Sequence, residues 1–107
     1  MSDTLAAVQA LVARGEVRIS DHGYDELADD GIYAGDVLAG LGAAVVVEDY
    51  RHDPRGRSVL VLQRSPDGGP IHVVWAIAAG SSTPAVMVTA YRPDPSRWSS
   101  DYMRRIR

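Results

Sequence analysis

Apolar positions recur at two different periods along this chain, helical up to about Leu41 and strand-like from Ala44 onward. Leu5, Val8, Leu11 and Val12 fall at helical spacing, with Asp3 or Thr4 as a cap and Gly15 past the end. They predict a helix over about residues 4–14. VRIS, beginning at Val17, is short and reads either as a strand or as a turn into the next element. Ser20 or Asp21 caps a second helix through about Ala28, closed by the sequence DDG, with Tyr24, Leu27 and Ala28 facing inward. AGDVLAGL, residues 34–41, predicts a third short helix whose apolar face is Val37, Leu38 and Leu41.

The period then becomes two. AVVVEDY (44–50), SVLVLQR (58–64), IHVVWAIA (71–78) and AVMVTAY (85–91) are rich in β-branched residues and separated by turns holding Pro and Gly. Short links make neighbouring strands antiparallel. The expected class is α+β, N-terminal helices packed on a four-stranded antiparallel meander, in one domain spanning residues 1–107. The tail, SRWSSDYMRRI, predicts a final short helix. Several strands are apolar on both faces near their centres. Helices are expected on one face, and the tail, a partner or a second copy of the chain (a homodimer) on the other. Alternation sets His72, Val74 and Ala76 on one face and Ile71, Val73, Trp75 and Ile77 on the other.

Composition narrows the classes. The 107 residues are 46% hydrophobic, and no stretch approaches the roughly 18 apolar residues of a membrane span. The N-terminus begins acidic and does not read as a signal peptide. There is no cysteine, which removes thiol nucleophiles, disulfides and Cys-based zinc sites and fits a cytoplasmic location. The net charge is −3, but unevenly spread. Residues 1–45 hold two arginines against eight acids, and residues 46–107 hold nine arginines against six acids. Every basic side chain other than histidine is arginine, whose planar fork suits phosphate.

The stretch VTAYRPDPSRW (88–98) gathers Tyr91, Arg92, Arg97 and Trp98 where the chain leaves its last strand. It reads as a structural corner first and as a phosphate-and-base clamp second. His22 lies at a helix start, where the positive end of the helix favours a neutral imidazole; its plain alternative is a capping or surface histidine. His72 is strand-borne, either half-buried and hydrogen-bonded or an acid/base group. His52 lies in a polar turn. Arg64 and Arg92 end two strands, on one sheet edge or on opposite ones depending on register. Arg51, Arg55 and Arg57 crowd the first hairpin turn, and Arg104, Arg105 and Arg107 close the chain. Together they form a candidate track for a phosphate backbone. Trp98 and Tyr102 either stack on unpaired bases or fold the tail onto the sheet. No metal-ligand spacing, phosphate loop or nucleophile elbow appears, and no cofactor is expected.

ISDHGYDELADDGI, VVVEDY, SVLVLQR, PIHVVWAI and VTAYRPDPSRW together resemble the bacterial domain-of-unknown-function family 4258, from about residue 17 to the end. Members look like relatives of the RelE and barnase type of small ribonuclease toxins, often encoded beside a small antitoxin, commonly a zinc-finger protein. The resemblance implies helices followed by a curved antiparallel sheet. It also implies metal-independent RNA cleavage, in which a base takes the ribose 2′-OH proton and the oxygen attacks the adjacent phosphorus. An acid then protonates the leaving 5′-oxygen while arginines hold the phosphorane charge. Carried over by position, the matches are His22, His72, Tyr91, Arg92 and Trp98. The chain departs from many relatives, which have an arginine where it has Glu26 and a basic residue near Asp30.

Three functions stay open. The first is an endoribonuclease toxin of a toxin–antitoxin pair, acting on RNA free or on the ribosome. In it His22 and His72 are acid and base, Arg92 with Arg64 or Arg97 holds phosphate, and Tyr91 orients the scissile group or acts as second acid. The second is a non-catalytic binding module of the same fold, which the acidic helix and net charge favour. The third is a toxin that inhibits a protein target such as gyrase and needs no histidine.

Overall fold

The structure, a computed structural model, describes residues 2–106. Helix α1 (Asp3–Ala13) leads to a three-residue strand β1 (Val17–Ile19), then α2 (Asp21–Asp29) and α3 (Ala34–Gly40). Strands β2 (Val45–Tyr50), β3 (Ser58–Arg64), β4 (Pro70–Ala76) and β5 (Ala85–Tyr91) follow. Among the described residues no helix is long and apolar enough to cross a membrane.

The sheet has five strands in the order β1-β5-β4-β3-β2. The expected four-stranded antiparallel meander is present as β2 to β5. It is extended by β1, which pairs parallel to β5 with Arg18 opposite Val86. The sheet is therefore mixed. A three-residue strand whose partner is distant in sequence leaves almost no local pattern, which is why VRIS stays ambiguous on the page.

One face of the sheet carries the helices. Leu5, Val8 and Leu11 of α1, Leu27 of α2 and Val37 of α3 join Val61, Val73 and Trp75 in one buried core. A polar pin runs through it. The Trp75 indole N–H donates to Gln63 Oε1 (3.2 Å), and Gln63 Nε2 donates to the Val37 carbonyl (2.7 Å). Both buried polar side chains are thereby satisfied.

Helix α2 starts as expected, with Ser20 Oγ accepting from the Gly23 amide at 2.9 Å. Its contact line differs. Gly23 and Leu27 are buried, whereas Tyr24 is 58% exposed and Ala28 faces solvent. A Cβ at position 23 would lie 2.9 Å from the Met87 carbonyl. The helix backbone therefore rides directly on β5 at Gly23, and Tyr24, about 100° further round, points away.

The tail is no helix. Trp98 and Arg105 form an antiparallel bridge around a turn built by side chains. Asp101 accepts from the Met103 amide and Ser99 Oγ from the Arg104 amide, both at 3.1 Å. Tyr102 has φ of 61°, a left-handed conformation that ends any helix there.

Candidate functional site

Strand register decides which side chains meet. In the β4–β5 ladder His72 stands opposite Tyr91, and His72 Nδ1 is 3.2 Å from the Tyr91 hydroxyl. His72 Nε2 is 2.8 Å from the Tyr102 main-chain oxygen. A carbonyl only accepts, so Nε2 carries the proton and Nδ1 accepts from the Tyr91 hydroxyl. The imidazole is neutral, with both nitrogens engaged.

His72 has no exposed surface. The Trp98 indole packs edge-on at 4.4 Å between ring centroids, and the Tyr91 ring lies at 5.4 Å. Burial holds the His72 pKa below the ordinary histidine value. The Tyr102 carbonyl and Glu48 pull the other way, and Arg105 reinforces the drop. Burial likewise raises the Tyr91 phenol above its usual value. Tyr91 is therefore a donor here and resists becoming a phenolate.

A second layer fixes the tail over this pair. The Arg105 guanidinium stands 4.7 Å over the Trp98 ring and donates to Glu48 Oε1 at 3.0 Å. An irregularity in the β2–β3 register between Val46 and Glu48 brings Glu48 opposite Leu60. Burial opposes ionisation of Glu48, but hydrogen bonds with Tyr50 and Arg105 outweigh it and hold the carboxyl below its usual range. Neither Glu48 nor Tyr50 stood out in the sequence. The signal for Glu48 was an acid interrupting an apolar strand, and its partner Arg105 is one of the three closing arginines; Arg104, beside it, is exposed and contributes its backbone to the turn.

The remaining candidates lie elsewhere. Register places Arg64 and Arg92 at the same end of the sheet, since Arg64 faces Pro70 and His72 faces Tyr91. Arg92 nevertheless points away from the His72 face by alternation. Its Nη1 donates to Ser65 Oγ (3.0 Å) and the Pro70 carbonyl (3.3 Å), and its amide donates to Asp30 (2.8 Å). Arg64 donates to the Gly68 carbonyl at 3.2 Å. Both guanidinium groups thus stitch the β3–β4 turn.

Arg51, Arg55 and Arg57 lie at the opposite end, in the β2–β3 turn. Arg51 reaches Asp3 (3.4 Å) and Arg55 pairs with Asp53 (3.1 Å), while Arg57 is half-buried. Arg97 is 3.8 Å from Asp94. His22 is exposed on α2, 3.2 Å from Glu26, in a segment where no arginine occurs between Arg18 and Arg51. Because α2 packs on the helix-side core through Leu27, His22 and His72 belong to opposite sides of the sheet. His52 is exposed in its turn. Among the described residues no group of three His, Asp or Glu side chains could hold a metal ion.

Over residues 19–92 the sequence matches the family described as Domain of unknown function (DUF4258). No curated protein and no solved structure matches the chain.

Proposed function

The chain belongs to that family, and from this premise we propose that it works as a non-catalytic binding module whose partner is a protein. One observation carries the reading: His72, the histidine that register brings to Tyr91, is fully buried with both ring nitrogens spent. A general base must reach the proton that it abstracts, and here Trp98 and the Tyr102 carbonyl occupy the approach.

Charge supports the same reading. A phosphate backbone is held by several unpaired cations, and the arginines of this chain are largely engaged within it. Arg51, Arg55, Arg97 and Arg105 pair with carboxylates, and Arg64 and Arg92 with carbonyl and hydroxyl oxygens. On this reading, the likeness to RelE-type and barnase-type toxins that the family resemblance implies is a likeness of scaffold. The gyrase-inhibitor alternative is a special case of protein binding and needs no accessible histidine.

The test is to incubate purified protein with single-stranded RNA and with translating ribosomes, beside His72→Phe and Arg92→Gln. The expected result is no cleavage by any of the three. Cleavage by the wild type that disappears in His72→Phe, with that variant still folded by circular dichroism, would restore the endoribonuclease reading. Growth arrest on overexpression that survives His72→Phe would direct the search to a protein target.

A further inference from the structure

The face of the sheet that carries His72 is covered only over half its length. Towards the other end, Ser58, Val74, Ala76, Ala78, Val86 and Val88 line an open trough of about 290 Å³, closed at one end by Gly56 and the Asp53–Arg55 ion pair. Its floor is aliphatic, and Val74, Ala76, Val86 and Val88 are each half-buried. Beside it, on the edge strand β1 next to β5, is Arg18. Val17 and Ile19 pack towards the helix-side core, so alternation turns Arg18 to the trough side, beside its register partner Val86. No carboxylate among the described residues stands in ion-pair range of Arg18. Arg55, at the far rim, is already held by two contacts to Asp53.

We infer that this trough docks an extended, apolar peptide segment of a protein partner, with a carboxylate that meets Arg18. The inference rests on the binding-module reading and names the surface and the partner chemistry for it. The covered half of the same face shows what kind of occupant the sheet accepts. There an extended arm of the tail lays Trp98 on the strands, and its cation, Arg105, meets a carboxylate of the sheet, Glu48. In the open half the sheet supplies the cation, so the occupant supplies the anion. An aliphatic floor gives apolar side chains area to bury at roughly 25 cal/mol per Å². A single unpaired arginine gives orientation and selectivity more than bulk affinity. It is too little charge to hold a nucleic-acid backbone.

The test uses the full chain labelled with nitrogen-15 and two synthetic peptides of alternating valine and serine, one ending in glutamates and the other in lysines. The glutamate peptide is expected to move the amide signals of Val74, Ala76, Val86 and Val88, and the lysine peptide to bind more weakly. Arg18→Glu is expected to weaken the glutamate peptide about tenfold and to reverse the preference. Arg18 is exposed, so neither this variant nor Arg18→Gln threatens folding. Equal binding of the two peptides, signal changes confined to α2, or no binding at all would overturn the trough assignment. Those outcomes leave the binding-module reading intact as long as RNA cleavage is absent, whereas His72-dependent cleavage defeats that reading whatever the peptides do.

Discussion

Two halves of one sheet face, built from the same strands, meet opposite fates. Under the tail, Leu60, Leu62 and His72 are 2%, 8% and 0% exposed. A few residues along the same strands, Val74, Ala76 and Val86 remain half-buried beside open solvent. The covered half is polar in its chemistry and closed: imidazole, phenol, carboxylate and guanidinium groups all satisfy one another. The open half is aliphatic in its floor, with an Asp53–Arg55 pair at one end and Arg18, which has no ion-pair partner among the described residues, on the neighbouring edge strand. On this face the one histidine, His72, is therefore shut from solvent, whereas the exposed histidines His22 and His52 lie on α2 and in the β2–β3 turn, away from it. A histidine, a tyrosine and an arginine close together are as useful for locking a tail as for cleaving a phosphodiester. Access is what separates the two uses.

The largest effect is expected from taking away the lid's anchor. Trp98 is 5% exposed, and a Trp→Ala change at such a site costs about 3–5 kcal/mol, a large share of the roughly 5–15 kcal/mol that holds a domain of this size together. Trp98→Ala should lower the urea midpoint strongly. Val86→Ala, in the open half, should cost well under half as much because its side chain is already partly solvated. Similar losses in the two variants would mean that the halves are not differently built.

The contrast between the halves was only partly legible in the sequence. The period-two runs located four strands, and Ser20 announced the α2 cap, because both signals are local. Register was not legible: the irregularities at Val46/Glu48 and Val74/Trp75 depend on how strands pair, and they decide where Glu48 and β5 side chains point. The tail misled for a physical reason. Its helix-like spacing is overruled by Ser99 and Asp101, whose side chains take main-chain amides, and by the left-handed Tyr102. Partners such as Glu48 and Arg105 lie far apart in the chain, and no short window could have joined them.

Removing the imidazole while keeping the lid is expected to have the next largest effect. His72→Phe fills the space but leaves the Tyr91 hydroxyl and the Tyr102 carbonyl without their partner, which costs about 1–3 kcal/mol for a buried group left unpaired. Chemical denaturation measures it, and a neutral outcome would show that water reaches both groups and that the half is not closed.

Acidification probes the same contact more gently. The folded pKa of His72 lies below its unfolded value, so between the two the unfolded chain binds the extra proton. Stability from the neutral imidazole is fully present above the unfolded value, about 6.5. It is lost as pH falls below that value, at no more than about 1.4 kcal/mol per pH unit for one proton. Urea midpoints between pH 7.5 and 5.5, roughly one unit either side of that value, should decline in the wild type and flatten in His72→Phe. That window stays above the range in which the carboxylates titrate. An unchanged slope in His72→Phe would show that the decline does not come from His72.

The smallest expected effect concerns the ion pair at the lid's rim, and it is the sharpest comparison of the two halves. Arg105 and Glu48 are 62% and 36% exposed at their side chains, and exposed pairs are worth about 0.2–1 kcal/mol. A double-mutant cycle with Arg105→Gln and Glu48→Gln should return a coupling in that range, because it removes the charge attraction while both long stems stay. Arg105→Ala should cost more than Arg105→Gln, since the guanidinium and its stem also cover the Trp98 ring. Arg18→Gln, in the open half, should fall within about 0.5 kcal/mol of the wild type, as surface changes without partners do. A larger loss at Arg18 would reveal that its charge already serves the fold, and the open half would then have no unpaired cation to offer an incoming carboxylate.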